Sequence, residues 1–235
     1  MKNKALEILI VEDNANHLID VRNRMQKRID AGIPLKVDYA TNLSEALVHL
    51  RDKKYDGVIS DVFYPAGNNE SENRERVFEV LREACVELGK FDTSWRTDLT
   101  QNSPLGVIVG ETGKEKGIPM VFCSDSYHHG KKSEPVNRYA REKGISFIDS
   151  GNVEAAPTKS WDAAFVELLR IRARTGFGQL SEGCIYEIVQ EGSFKDDVPR
   201  YVDHIKPYLL KEEQDLFEKS KQKPNSTPSS RSASW

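Results

Sequence analysis

The sequence predicts an α/β fold in which a doubly wound, five-stranded parallel sheet carries helices on both faces. Three observations point to it. Leu6–Val11, Leu35–Ala40, Tyr55–Val62, Met120–Cys123 and Ile145–Asp149 are short apolar runs rich in β-branched and aromatic residues, as expected of strands buried on both sides. Segments with apolar residues every third or fourth position alternate with these runs, the rhythm of βαβ units. Acids close the first and third runs, at the strand ends where open α/β sheets hold their ligands.

Each element has a local reason. Leu6–Val11 ends in Glu12-Asp13-Asn14, and Asp13 or Asn14 can cap the helix that follows. That helix, Ala15–Ile29, places Leu18, Val21, Met25 and Ile29 on one face, and Gly32 and Pro34 stop it. After the second strand, Leu43, Ala46, Leu47 and Leu50 mark a helix; the third strand ends at Asp61. The rhythm then breaks. Pro65–Ser103 is polar and rich in Asn, Glu and Arg, with an amphipathic helix over Arg74–Leu88 and a loop over Asp92–Ser103. Arg74, Arg76 and Arg82 are expected on the wet face of that inserted helix. Helices over Leu105–Thr112, Pro135–Lys143 and Trp161–Ile171 complete the alternation. Right-handed crossovers and a strand order 2-1-3-4-5, which sets the ends of the first and third strands side by side, are expected.

The organisation is therefore a domain over residues 5–174 with an insertion at about 66–103, a C-terminal extension over 175–218, and a tail over 219–235. The extension is punctuated by Gly176, Gly178, Gly183 and Gly192. Cys184–Val189 is a candidate strand, and Val198–Phe217 has room for one or two short helices. The tail is built from Lys, Pro, Ser, Asn and Thr, a composition expected to be disordered.

Composition narrows the functional classes. In 235 residues, 38% are hydrophobic and 30% charged, and the net charge of −3 provides no electrostatic basis for nucleic-acid binding. No segment reads as a helix-turn-helix with a basic face. The cysteines, Cys85, Cys123 and Cys184, form neither a C-x-x-C pair nor a closely spaced even set. A disulfide framework or structural zinc is not expected, and a reducing cytoplasm fits. Ile8–Val11 is far too short for a signal sequence or a membrane span, so no membrane association is expected.

The chemistry lies in Glu12, Asp13 and Asp61. Three clustered acids repel one another, and a hard divalent cation such as Mg²⁺ relieves that repulsion through carboxylate oxygens. A neutralised aspartate can then attack a phosphoryl group. The order of residues resembles the response-regulator receiver family of two-component signalling, whose fold is flavodoxin-like. "ILIVEDN" matches that family's first strand and acidic pair, and "YDGVISDVFYP" its third strand, phosphorylatable aspartate and downstream proline. "IPMVFCSD" matches the fourth strand and "GISFIDS" the fifth. The match runs from Leu6 to about Arg174, interrupted by the insertion.

The resemblance implies that Asp61 is the phospho-acceptor. Glu12, Asp13, Asp61 and the backbone carbonyl of Phe63 would hold Mg²⁺. The Ser124 hydroxyl would contact the phosphoryl group, and Phe147 would be the aromatic switch. It implies a histidine kinase or phosphotransfer protein as donor, and an output protein of unknown identity as target. One family feature is replaced: the lysine that ends the fifth strand is Ser150 here. Lys131, Lys132 or Lys159 are candidates to supply the missing ammonium, since a phosphoryl group adds about two negative charges.

Other signals have plainer readings. His128 and His129 beside Asp125 suggest a metal or phosphotransfer site, but adjacent loop residues rarely converge on one ion. Gly110-Glu111-Thr112-Gly113-Lys114 lacks phosphate-loop spacing, so Gly113 or Gly117 is expected to end a helix. Cys123 reads as a small buried hydrophobe and Trp161 as a packing anchor. Three functional readings remain: a phosphorylated receiver that is not an enzyme, a pseudo-receiver acting only as an interaction module, and a metal-dependent phosphohydrolase-like enzyme.

Overall fold

The computed structural model describes residues 5–65, 70–85, 87–98, 101–125, 131–149, 159–175 and 205–215. The elements are β1 (Leu6–Val11), α1 (Ala15–Asp30), β2 (Leu35–Ala40), α2 (Leu43–Asp52), β3 (Gly57–Ser60), α3 (Glu70–Ala84), α4 (Gly106–Glu115), β4 (Met120–Ser124), α5 (Glu134–Lys143), β5 (Ser146–Asp149) and α6 (Trp161–Thr175). The five strands are all parallel in the order 2-1-3-4-5, as the sequence predicts.

Strand alternation builds two apolar layers. Leu9, Val11, Val58, Met120, Phe122 and Phe147 point to the face covered by α2, α4 and α5. Ile8, Ile10, Ile59, Val121, Cys123 and Ile148 point to the face covered by α1 and α6. Trp161 is fully buried in the second layer, the anchor expected of it. Cys123 is buried too, and its environment pushes the thiol pKa up. Among the described residues, no helix is long and apolar enough to cross a membrane.

Local chemistry sets the helix ends. The Asn14 side chain accepts from the backbone N–H groups of Asn16 and His17, capping α1. Asn42 accepts from Glu45 N–H, while Glu45 accepts from Thr41 N–H at 2.7 Å, a reciprocal arrangement that starts α2. Gly144, at φ 64°, ends α5 in the left-handed region. Of the two glycines expected to end α4, Gly117 does so; Gly113 is buried inside the helix against Met120.

The described part of the insertion holds the expected helix and two short turns. Helix α3 begins at Glu70, earlier than expected, and packs outside α4 and α5. Short 3-10 turns follow at Leu88–Lys90 and Ser94–Arg96. The expectation that Arg74 lies on a wet face is wrong. Arg74 is buried and donates to the backbone carbonyls of Trp95, Asp98 (3.1 Å) and Gln101 (2.6 Å). A buried guanidinium needs such acceptors, and these carbonyls, at a short 3-10 turn and the loop after it, need donors. Arg76 and Arg82 are exposed as expected. Arg96 stacks on Phe78 and pairs with Glu75 at 2.7 Å, tying the second turn to α3.

Part of the C-terminal extension packs back on the α1/α6 face. Ile205, Tyr208, Leu209 and Leu210 join the apolar layer that contains Val21, Met25, Ile33 and Leu169. Lys206–Tyr208 is a 3-10 turn, and 211–215 is helical. Arg28, fully buried, bonds to Glu213 at 2.5 and 2.8 Å and to Asp162 at 2.8 Å, with its guanidinium over the Phe165 ring. The candidate strand Cys184–Val189 and the tail lie outside the described residues.

Candidate functional site

The site forms where β1 and β3 end side by side. Ile10 pairs with Ile59 and Val11 with Ser60, so the residues that follow, Glu12 and Asp61, leave the sheet together. Asp61 N–H still donates to Val11 carbonyl at 2.8 Å, and Glu12 N–H to Ala40 carbonyl at 2.9 Å. These backbone bonds fix both carboxylates at the crevice of the sheet. Asp13, half-buried, follows Glu12. Each of Glu12, Asp13 and Asp61 offers an oxygen within 4.8 Å of the others, a spacing that one cation can bridge.

One lysine faces this cluster from far along the chain. Lys159, just before α6, places its Nζ 2.8 Å from Asp61 Oδ2 and 2.5 Å from Glu12 Oε2, with side-chain exposures of 1%, 7% and 0% for Lys159, Asp61 and Glu12. The other Asp61 oxygen accepts from Val62 N–H at 2.6 Å, and the other Glu12 oxygen from Asn14 N–H at 2.9 Å. Burial raises the Glu12 pKa, and the neighbouring Asp61 adds to the rise. Burial likewise raises Asp61; Lys159 and the Val62 N–H oppose that, and Asp125 adds to it. Asp13 is raised chiefly by burial. Burial alone would lower the Lys159 pKa, but Asp61 and Glu12 outweigh it and hold the ammonium above its ordinary range. Among the described residues one ammonium faces three carboxylates here, and the donors are hard oxygens. The donor set fits a small divalent cation.

The remaining predicted residues take varied positions. Ser124 is buried at the end of β4. Ser60 pairs with Phe122, so Ser124 lies level with the turn that follows Asp61. Phe63 carbonyl faces the site, where Asn102 Nδ2 lies 3.4 Å from it and 3.4 Å from Asp13 Oδ2. Phe147 is buried edge-on to Phe122, with ring centres 6.4 Å apart. Of the three lysines that could replace the one missing at Ser150, Lys159 reaches the acids. Lys132 lies over the Phe63 ring at 4.7 Å instead, and Lys131 is exposed. Ser150, His128 and His129 lie outside the described residues.

Two residues not singled out in the sequence also shape the site. Gly106 opens α4 directly behind the acceptor, its N–H donating to Val62 carbonyl at 3.0 Å. A Cβ there would come within 2.5 Å of the Asp61 carbonyl oxygen, so only glycine lets α4 start so close to β3. Asn102 is the other, brought in by the end of the insertion.

No family model matches the chain, and no curated protein matches it. Among solved structures it aligns with a bacteriophytochrome response regulator at 18% identity and TM-score 0.42, covering 77% of this chain and 100% of that one. It also aligns with the receiver domain of a signal transduction histidine kinase from Syntrophus aciditrophicus, at 16% identity and TM-score 0.41 over 77% and 99% of the two chains. A third is the receiver domain of an HD domain-containing protein from Pseudomonas fluorescens Pf-5, at 12% identity and TM-score 0.38 over 72% and 98%. The second and third of these solved structures are signal receiver domains.

Proposed function

We propose that this chain is a phosphorylatable receiver of a two-component relay, with Asp61 as the phospho-acceptor. The observation that carries the reading is the Lys159 ammonium on Asp61 and Glu12. It restores, from a different place in the sequence, the positive charge that Ser150 fails to supply. Asp61 is also rigidly held: Val62 N–H and Lys159 each occupy one lone pair of its carboxylate. Both oxygens keep another.

In the proposed reaction a carboxylate oxygen of Asp61 attacks the phosphorus of a phosphohistidine. The new P–O bond forms as the P–N bond breaks, and the departing imidazole keeps the electron pair and takes a proton. The product is an aspartyl-phosphate with about two added negative charges. Lys159 pairs with those charges, and Ser124 donates its hydroxyl to a phosphoryl oxygen. Glu12, Asp13, Asp61 and Phe63 carbonyl would hold Mg²⁺, which supplies charge neutralisation when bound. Phe147 would follow Ser124 in repacking, so that the α5 surface reports the modification to an output protein. The donor would be a histidine kinase or phosphotransfer protein. The working unit would span residues 5–174, with its insertion over 66–103.

Intact-mass analysis after incubation with a small acyl-phosphate and Mg²⁺ tests this. The wild type should gain one phosphoryl group, and Asp61→Asn and Lys159→Met should not. Labelling of Asp61→Asn would overturn the acceptor assignment. No labelling of any form, alongside Mg²⁺ binding, would favour the pseudo-receiver reading.

A further inference from the structure

We infer that Asn102 couples the insertion to cation occupancy of the acidic crevice, turning its amide so that Oδ1 joins the ligands of the ion. The inference deepens the proposed function and rests on its reading of Glu12, Asp13 and Asp61 as a cation site.

The argument starts from where Asn102 lies. Its Nδ2 is shared between Asp13 Oδ2 and Phe63 carbonyl, at 3.4 Å from each. These are two of the four oxygens assigned to the cation. An N–H donor aimed at an oxygen is incompatible with a cation on that same side of it, because the partly positive amide hydrogen faces the ion's positive charge. When a cation arrives, the amide must turn. Rotation about its last bond exchanges the nitrogen for Oδ1, a neutral oxygen of the kind that Mg²⁺ and Ca²⁺ accept. The side chain is otherwise exposed, so the rotation meets no packing barrier.

Asn102 is not on a free loop. The residue before it, Gln101, gives its carbonyl to buried Arg74 of α3 at 2.6 Å, and Arg74 also holds the carbonyls of Trp95 and Asp98. The residue after it, Ser103, pairs with Tyr64 across an antiparallel bridge, Tyr64 N–H donating to its carbonyl at 3.2 Å. Asn102 thus sits between a clamp to the inserted helix and a clamp to the strand-end loop that bears Phe63. Ordering of its side chain on a cation tightens residues 101–103 against both. The insertion therefore acts as a reporter of metal occupancy.

The test uses the full chain with Mg²⁺ alone as ligand, followed by calorimetric titration and by hydrogen exchange of residues 101–103. Asn102→Ala should weaken Mg²⁺ binding roughly five-fold, about 1 kcal/mol, and Asn102→Asp should strengthen it. In the wild type Mg²⁺ should slow exchange across 101–103, and in Asn102→Ala it should not. Equal affinity for wild type and both variants, with Mg²⁺ binding that Asp13→Asn still abolishes, would overturn the role of Asn102 and leave the cation site standing. Absence of Mg²⁺ binding by the wild type, or binding that Asp13→Asn leaves unchanged, would overturn the cation site and this inference with it.

Discussion

Replacing Lys159 by Met separates the charge of this residue from its stem, since methionine keeps an unbranched side chain of similar reach. The variant leaves Glu12 and Asp61 buried with no ammonium. Their exposures are 0% and 7%, against 1% for the lysine, so water cannot take over its contacts. Removing one partner from a buried ionic cluster costs about 3–5 kcal/mol. The lower end applies, because burial already raises the pKa of both acids and proton uptake relieves part of the strain. A loss of about 3 kcal/mol is roughly 150-fold in the folding equilibrium. With a urea slope of about 2 kcal/mol/M, the midpoint should fall by about 1.5 M. The assay is urea denaturation at neutral pH in EDTA, with matching slopes for the two proteins. Removing one acid as well, in Lys159→Met/Asp61→Asn, should recover part of the loss. Mg²⁺ should bind Lys159→Met more tightly than wild type, because the ion no longer competes with an ammonium for Glu12 and Asp61, and should therefore restore more stability to the variant. A loss under about 1 kcal/mol in EDTA, or weaker Mg²⁺ binding by the variant, would refute the reasoning.

Gly106→Ala should destabilise by about 1–3 kcal/mol, because its Cβ would lie 2.5 Å from the Asp61 carbonyl oxygen; a thermal melt unchanged from wild type would contradict the close approach of α4 to β3. Glu213→Gln should loosen the C-terminal segment, which leans on the Arg28–Glu213 bonds. The readout is faster hydrogen exchange over 205–215 with little change in β1 or β3, and unaltered exchange would count against the contact. Stability in EDTA should show two opposed pH trends. Glu12 and Asp61 are raised in the folded state by burial, so the fold binds more protons than the unfolded chain between the ordinary carboxylate pKa of about 4 and their raised values. Stability should therefore rise as pH falls from neutral through that window. Asp38, where Lys53 and Tyr55 outweigh burial, and Glu45, held by Thr41 N–H, are lowered. Their contribution is present above the unfolded pKa and lost as pH falls through the folded one, so stability should drop again in acid. Asp61→Asn should flatten the first trend and Asp38→Asn the second.

The sheet was legible because each strand is a short apolar run and each covering helix has an apolar stripe, both local signals. The acids were legible for a related reason: strand ends locate them without any knowledge of distant contacts. Lys159 was one of three candidates, since nothing near it in sequence says which lysine returns to the crevice. The position of Arg74 could have been read better. It precedes Val77 by three residues and Leu81 by seven, on the same stripe of α3, and a charge on an apolar stripe calls for buried acceptors. Asn102 and Gly106 carried no such mark. Their importance comes from two backbone segments meeting across the insertion, which no periodicity records. The docking of Ile205, Tyr208, Leu209 and Leu210 was similarly hidden, because an apolar cluster does not name the surface that it covers.

That docking changes how the molecule would bear a load. By covalent order the chain after α6 should hang from α6. Through Arg28, Lys27 and the apolar contacts of residues 205–210 it is anchored to α1 as well, the first helix of the chain. A pull applied beyond residue 215 is thus shared between α1 and α6. The share borne by α1 leads through the Asn14 cap to the Glu12–Asp13 turn. A tether on the C-terminal side and the acidic crevice share one mechanical element, and an attachment made there would tug on the edge of the site.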